Sequence, residues 1–110
     1  MRSKFSLNAW PKVFFEEKFP ELWTYILRSK NDFIKIGKTS SPNTRFMHLD
    51  NLVPLDLIPV LLVDHRLVPE ASLHGIFCSQ RYKGEWFYIN DDLKNLCTNP
   101  EIFLEKYVIQ

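Results

Sequence analysis

Glu70 and His74 stand four residues apart in "VPEASLHGIFCSQ" (68–80), so a helix would carry them on one side. A carboxylate with an imidazole beside it can hold a hard divalent cation through oxygen and water. Glu85 is the remaining carboxylate set close to apolar sequence. Upstream, the stretch from Arg28 to His48 carries Arg28, Lys30, Lys35, Lys38 and Arg45 against Asp32 alone. The last stretch is the reverse, with Asp91, Asp92, Glu101 and Glu105 against Lys94 and Lys106. A net charge of +1, from 14 basic and 13 acidic side chains, excludes a uniformly basic nucleic-acid binder. The distribution still gives one face a positive field that attracts phosphate. Other chemistries fall away: the chain has no glycine-rich phosphate loop and no GxSxG elbow. Cys78 and Cys97 have no CxxC partner and are not flanked like nucleophiles, and they read as core thiols.

The elements that must position these groups belong to one domain, since 110 residues allow a single modest core. Hydrophobic residues at 45% and aromatics at 15% are ample for that core and argue against disorder. The segment "PKVFFEEKF" predicts a short helix after Pro11, closed by Pro20. "LWTYILRS" (22–29) and "DFIKIGK" (32–38), joined by "KN", predict a β-hairpin. Ser41 is placed to cap a helix that starts at Pro42 and carries an apolar stripe of Phe46, Leu49 and Leu52, with Arg45 and His48 on a neighbouring face. "LDLIPVLLVD" (55–64) reads as a buried strand in which Pro59 must lie at an edge or bulge. Residues 68–80 predict a helix from Pro69 with Leu73, Ile76 and Phe77 inward; "GEWFYI" (84–89) predicts a strand, and "NPEIFLEKYVI" a last helix with Asn99 as cap and Pro100 in its first turn.

In their order along the chain these pieces resemble the GIY-YIG nuclease superfamily, in the compact branch whose second motif reads KIG. The resemblance runs from about Leu22 to Ile89. "WTYIL" matches the first motif, with Tyr25 at its tyrosine and Thr24 in place of the usual isoleucine. "FIKIGKT" matches the second, with Lys35 where most of the superfamily has tyrosine and Gly37 as the shared glycine. Arg45, eight residues later, takes the place of the helical arginine; "EASLH" matches E-x-x-L-H, and "RYKGEWF" is this branch's usual ending.

The resemblance implies an α+β domain on a small three-stranded antiparallel sheet, a hairpin plus a further strand, with flanking helices. It implies an endonuclease hydrolysing phosphodiester bonds in DNA with Mg²⁺ or Mn²⁺ held at Glu70. The catalytic set it implies is Tyr25, Lys35, Arg45, Glu70 and His74, with Lys38, Thr39, Arg81 and Lys83 along the nucleic acid. The hairpin is expected to set Tyr25 and Lys35 side by side, and Arg45 to aim its planar fork at the scissile phosphate. Proton transfer is left to Tyr25, His74, or a Lys35 whose pKa burial among cations would lower.

Three parts of one domain are expected: an N-terminal extension (1–21) packed on it, the nuclease-like unit (22–90) and a C-terminal helical segment (91–110). No apolar run approaches the roughly 18 residues of a membrane span, and the first 20 residues carry charges where a signal peptide is apolar, so the expectation is an intracellular protein, cytoplasmic or nuclear, without membrane attachment. Lacking an added DNA-binding domain, such a chain would cut with little specificity, dimerise, or borrow a targeting partner protein. Two other readings compete: a catalytically decayed nucleic-acid-binding module of the same fold, and a small protein-interaction domain using the aromatics of "NAWPKVFF".

Overall fold

The computed structural model describes residues 10–52 and 56–108, with the side chains of 52, 103 and 106–108 left aside. The start of the N-terminal extension, the beginning of the expected strand at Leu55 and the chain's last two residues therefore lie outside the described residues. Among the described residues ten strands and α-helices follow one another: β1 (Val13–Phe14), β2 (Trp23–Ser29), β3 (Phe33–Thr39), α1 (Pro42–Leu52), β4 (Leu57–Asp64), α2 (Glu70–Ile76), β5 (Arg81–Lys83), β6 (Trp86–Tyr88), α3 (Asp91–Thr98) and α4 (Pro100–Val108). A single 3₁₀ turn, Cys78–Gln80, joins α2 to β5. Among the described residues no helix is long and apolar enough to cross a membrane.

The sheet corrects the expected architecture. The chain is α+β, but its sheet has six strands in the order β1-β4-β2-β3-β6-β5 and is mixed, with β1 parallel to β4 and every other pair antiparallel. Two segments account for the difference from a three-stranded antiparallel sheet. Residues expected to form a helix after Pro11 instead run along the edge of β4, where the Lys12 carbonyl accepts from the Leu62 amide at 2.9 Å. The β-branched and aromatic pair Val13–Phe14 suits an edge strand, and a segment this short between two prolines has little room for a helical nucleus. The second segment is "RYKGEWFY", which folds back on itself as β5 and β6. Gly84, at φ 58°, supplies the left-handed residue of their two-residue turn.

The β2–β3 hairpin turns through three residues, one more than "KN". Asp32 takes a left-handed conformation (φ 65°), its amide donates to the Ser29 carbonyl at 3.0 Å, and its carboxylate pairs with Arg28 at 2.7 Å. Between β2 and β4 the register slips at Ile26/Leu27, beside the Leu27–Pro59 pair. The bulge is where a strand residue without an amide hydrogen is tolerated.

Alternation along the strands gives the sheet two apolar faces. Ile26, Ile34, Ile36, Leu61 and Val63 pack with Leu73 and Phe77 of the α2 segment and with Leu93, Leu96 and Leu104 of the last two helices. On the other face Trp23, Tyr25, Leu27 and Leu62 pack with Trp10 and with Phe46 and Leu49 of α1. The expected C-terminal helical segment divides into two helices, and the first, α3, is capped by Asn90, whose Oδ1 accepts from the Leu93 amide at 2.8 Å. Ile76 lies exposed where α2 ends, so only Leu73 and Phe77 of the predicted inward trio are buried. The chain's turn into the 3₁₀ segment also leaves Cys78 exposed, which corrects its reading as a core thiol. Cys97 is half-buried, and burial pushes its thiol up to about 11.

Candidate functional site at the end of the β3–β6 ladder

The hairpin register pairs Tyr25 with Gly37 and Leu27 with Lys35, so Tyr25, Gly37 and Lys35 share one sheet face. Tyr25 and Lys35 are diagonal neighbours on it, side by side on the shared face and one pair apart. Gly37 is there for a steric reason. A Cβ on it would fall far inside van der Waals contact with Oη, Cζ and Cε2 of Tyr25, so the phenol lies across the bare backbone of β3. The Trp10 ring closes over the tyrosine edge-on at 6.4 Å, meets Phe46 of α1 at 6.0 Å, and donates from Nε1 to Asn43 Oδ1 at 3.3 Å. α1 is thereby fixed over Tyr25, and Arg45 at the close of its first turn reaches the phenol, Nε donating to Oη at 3.5 Å.

Tyr25 is 1% exposed. Burial raises its pKa above the ordinary 10.0, the Arg45 hydrogen bond offsets part of that, and the nearby carboxylates of Glu85 and Glu70 raise it further. The same bond raises the Arg45 pKa. Lys35, buried in the same face, is surrounded differently from the expected cluster of cations. Its Nζ pairs with Glu85 at 3.1 Å and stands 5.2 Å from the centre of the Trp86 ring. Glu85 is therefore part of the site. Its place between Gly84 and Trp86 was visible in the sequence, but nothing there indicated that a hairpin turn would carry it back to Lys35.

The strand ladder ends here. β3 pairs with β6 from Phe33 to Lys35, and the Ile36 amide makes one more bond, to the Glu85 carbonyl at 3.0 Å. Beyond it α2 takes the place of β6: His74 Nε2 stands 2.9 Å from the Ile36 carbonyl oxygen. A carbonyl only accepts, so Nε2 carries the proton. Nδ1 then accepts from Arg81 Nη2 at 2.7 Å, and the imidazole is neutral with both nitrogens engaged. The ring also meets Phe87 edge-on at 5.0 Å.

Glu70, one turn before His74, brings its Oε2 to 3.8 Å from Nε2, beyond hydrogen-bond reach. That oxygen is buried and has no hydrogen-bond partner among the described residues. A buried carboxylate oxygen without a donor is costly and asks for a cation. Among the described residues no group of three or more His, Cys, Asp or Glu could hold a metal. One carboxylate nevertheless fits a Mg²⁺-type ion, which keeps most of its waters and takes further ligands from substrate phosphate.

The structure thus brings Tyr25, Arg45, Gly37 and Lys35 together on one side of β3, with Glu70 and His74 at its open edge. Of the residues expected along a nucleic acid, Lys38 is exposed immediately beyond Gly37, and Lys83 is exposed on β5 as the register partner of Trp86. Arg81 is bonded to His74 and lies 5.6 Å from the Phe87 ring centre, so it braces the site. Thr39 Oγ1 accepts from the Ser41 amide at 3.0 Å and shapes the entry to α1. Set against family models, curated proteins and solved structures, the chain finds no match in any of the three.

Proposed function

We propose that the chain is a metal-dependent endonuclease of the GIY-YIG type, hydrolysing phosphodiester bonds in DNA. The observation that carries this reading is the buried Oε2 of Glu70 at the strand edge, which has no hydrogen-bond donor among the described residues, in the same site where Arg45 grips the Tyr25 hydroxyl. Glu70 would hold Mg²⁺ or Mn²⁺, which when bound neutralises charge on the phosphate and on the departing oxygen.

The chain's own residues supply the rest. Arg45 spends Nε on Tyr25, which leaves its Nη nitrogens for the non-bridging phosphate oxygens, where charge grows in the transition state. Tyr25 accepts from Arg45 and is held protonated by burial, so its own O–H is left to donate, to a phosphate oxygen or to a water beside it. It orients; a phenol so placed is not the base. His74 is a positioning residue, locking α2 to β3 through Ile36 and so fixing Glu70. Lys35, ion-paired with Glu85, ties the β5–β6 turn to β3 beneath the site.

Incubation with supercoiled and branched DNA, with and without Mg²⁺ or Mn²⁺, tests the reading. Nicking or cutting that appears with the ion and stops in EDTA is expected. Binding without cleavage in either ion would favour the decayed module and overturn the enzyme.

A further inference from the structure

Three rings pack on one another where β3, β6 and β5 meet. Phe33 lies 5.1 Å from Tyr82 and 5.4 Å from Tyr88, and the two tyrosines are 5.2 Å apart. They do not form a core: Tyr82 is 54% exposed and Tyr88 50%. The pairing Phe33–Tyr88 and Lys35–Trp86 puts this cluster on the sheet face that carries Lys35, Gly37 and Tyr25. One row therefore runs from the phenol over Gly37, past Lys35 and Trp86, to the three rings. From Gly37 to Phe33 it spans about 13 Å, at about 3.3 Å per residue. Of the exposed cations nearby, Lys83 is the register partner of Trp86 in this row, while Lys38, the neighbour of Gly37, belongs to the alternate face of β3.

Exposed rings in a cluster mark an interaction surface, and the charge beside these suits phosphate. Rings on an open sheet face are a known way to take up unpaired bases, because every base offers a π-face. Paired bases inside a duplex are already stacked and present no free face. We infer that Phe33, Tyr82 and Tyr88 form a stacking platform for unpaired bases, so that the preferred DNA carries a single-stranded stretch beside the bond presented to Arg45. As a statement about what is cut, this rests on the nuclease reading; as a statement about binding, it does not.

Fluorescence anisotropy in EDTA, where no cleavage occurs, tests the platform. The probes are a labelled oligothymidylate, an abasic strand with the same number of phosphates, and a duplex of the same length. Wild-type protein should prefer the base-bearing strand to the abasic one by about tenfold or more. Tyr82→Leu/Tyr88→Leu keeps apolar bulk without a π-face and should lose that preference, whereas Tyr82→Phe/Tyr88→Phe should keep it. Equal wild-type affinity for the two strands, or absence of binding, overturns the platform even if the leucine variant fails to fold. So does an undiminished preference in a folded leucine variant. Metal-dependent cleavage, scored separately, decides the nuclease reading, and Arg45→Ala should slow cleavage by about 10² to 10³ while leaving the base preference intact.

Discussion

Arg45 and Tyr25, twenty residues apart in sequence, meet through a 3.5 Å hydrogen bond from Nε to Oη that joins an exposed helix residue to a buried strand residue. The bond orients the guanidinium plane. If that plane serves developing charge, Arg45→Ala should leave DNA affinity within a few fold and slow single-turnover cleavage by about 10² to 10³. Lysine should rescue little of this, because a point charge does not reproduce the bidentate fork. An Arg45→Lys variant cutting at near wild-type rate would show that the guanidinium is not aimed at phosphate.

Glu70→Gln should abolish cleavage with a melting temperature within about 4 °C of wild type, since the Oε2 it alters has no hydrogen-bond partner among the described residues. Mg²⁺ should raise the melting temperature of the wild type and not of the variant, because only a bound ion stabilises by linkage. Equal shifts in both proteins would remove Glu70 from the metal site.

Gly37→Ala puts a methyl group into the volume of the Tyr25 ring and should destabilise the fold by about 1–3 kcal/mol. A smaller residue at 25 should relieve the clash, so Tyr25→Val should cost less in the Gly37→Ala background than alone. Thermal melts of the four proteins measure this coupling; strict additivity would contradict the close approach.

Tyr25 also sets an alkaline limit. Its pKa is raised in the folded chain, above the ordinary 10.0, by burial first of all. Below about pH 10 both states hold the proton and the stabilising contribution is complete; above it the unfolded chain ionises first, and stability falls as pH climbs toward the folded value. Melting temperatures taken between about pH 9 and pH 11 should fall more steeply for wild type than for Tyr25→Phe, which has no proton to lose. Parallel slopes would mean that the phenol is not buried.

Much of the site could be read from types and spacing because its residues sit on strongly patterned elements. The alternation of "WTYILRS" and "FIKIGKT" fixes which side chains share a face, and the four-residue spacing of Glu70 and His74 does the same on α2. That Pro59 had to lie at an edge or a bulge was legible because a missing amide hydrogen leaves few places in a strand, and the bulge is the one realised. What escaped depended on contacts distant in sequence. Val13–Phe14 becomes a strand only because β4 has a free edge, and "RYKGEWFY" splits into two strands at a glycine whose φ composition does not reveal. The neutral state of His74 likewise follows from Ile36 and Arg81, one 38 residues away along the chain.

The early end of the β3–β6 ladder bears on how a polymer could approach. Past Lys35 the strand is flanked on that side by a helix residue's imidazole in place of a neighbouring strand, so Arg45 and Glu70 address a rim and not the floor of a closed chamber. A chain of nucleotides can be laid along a rim anywhere in its length, with no terminus threaded through. For the activity proposed, topology should then be no obstacle: a covalently closed single-stranded circle should be opened as readily as a linear strand of the same sequence is cut.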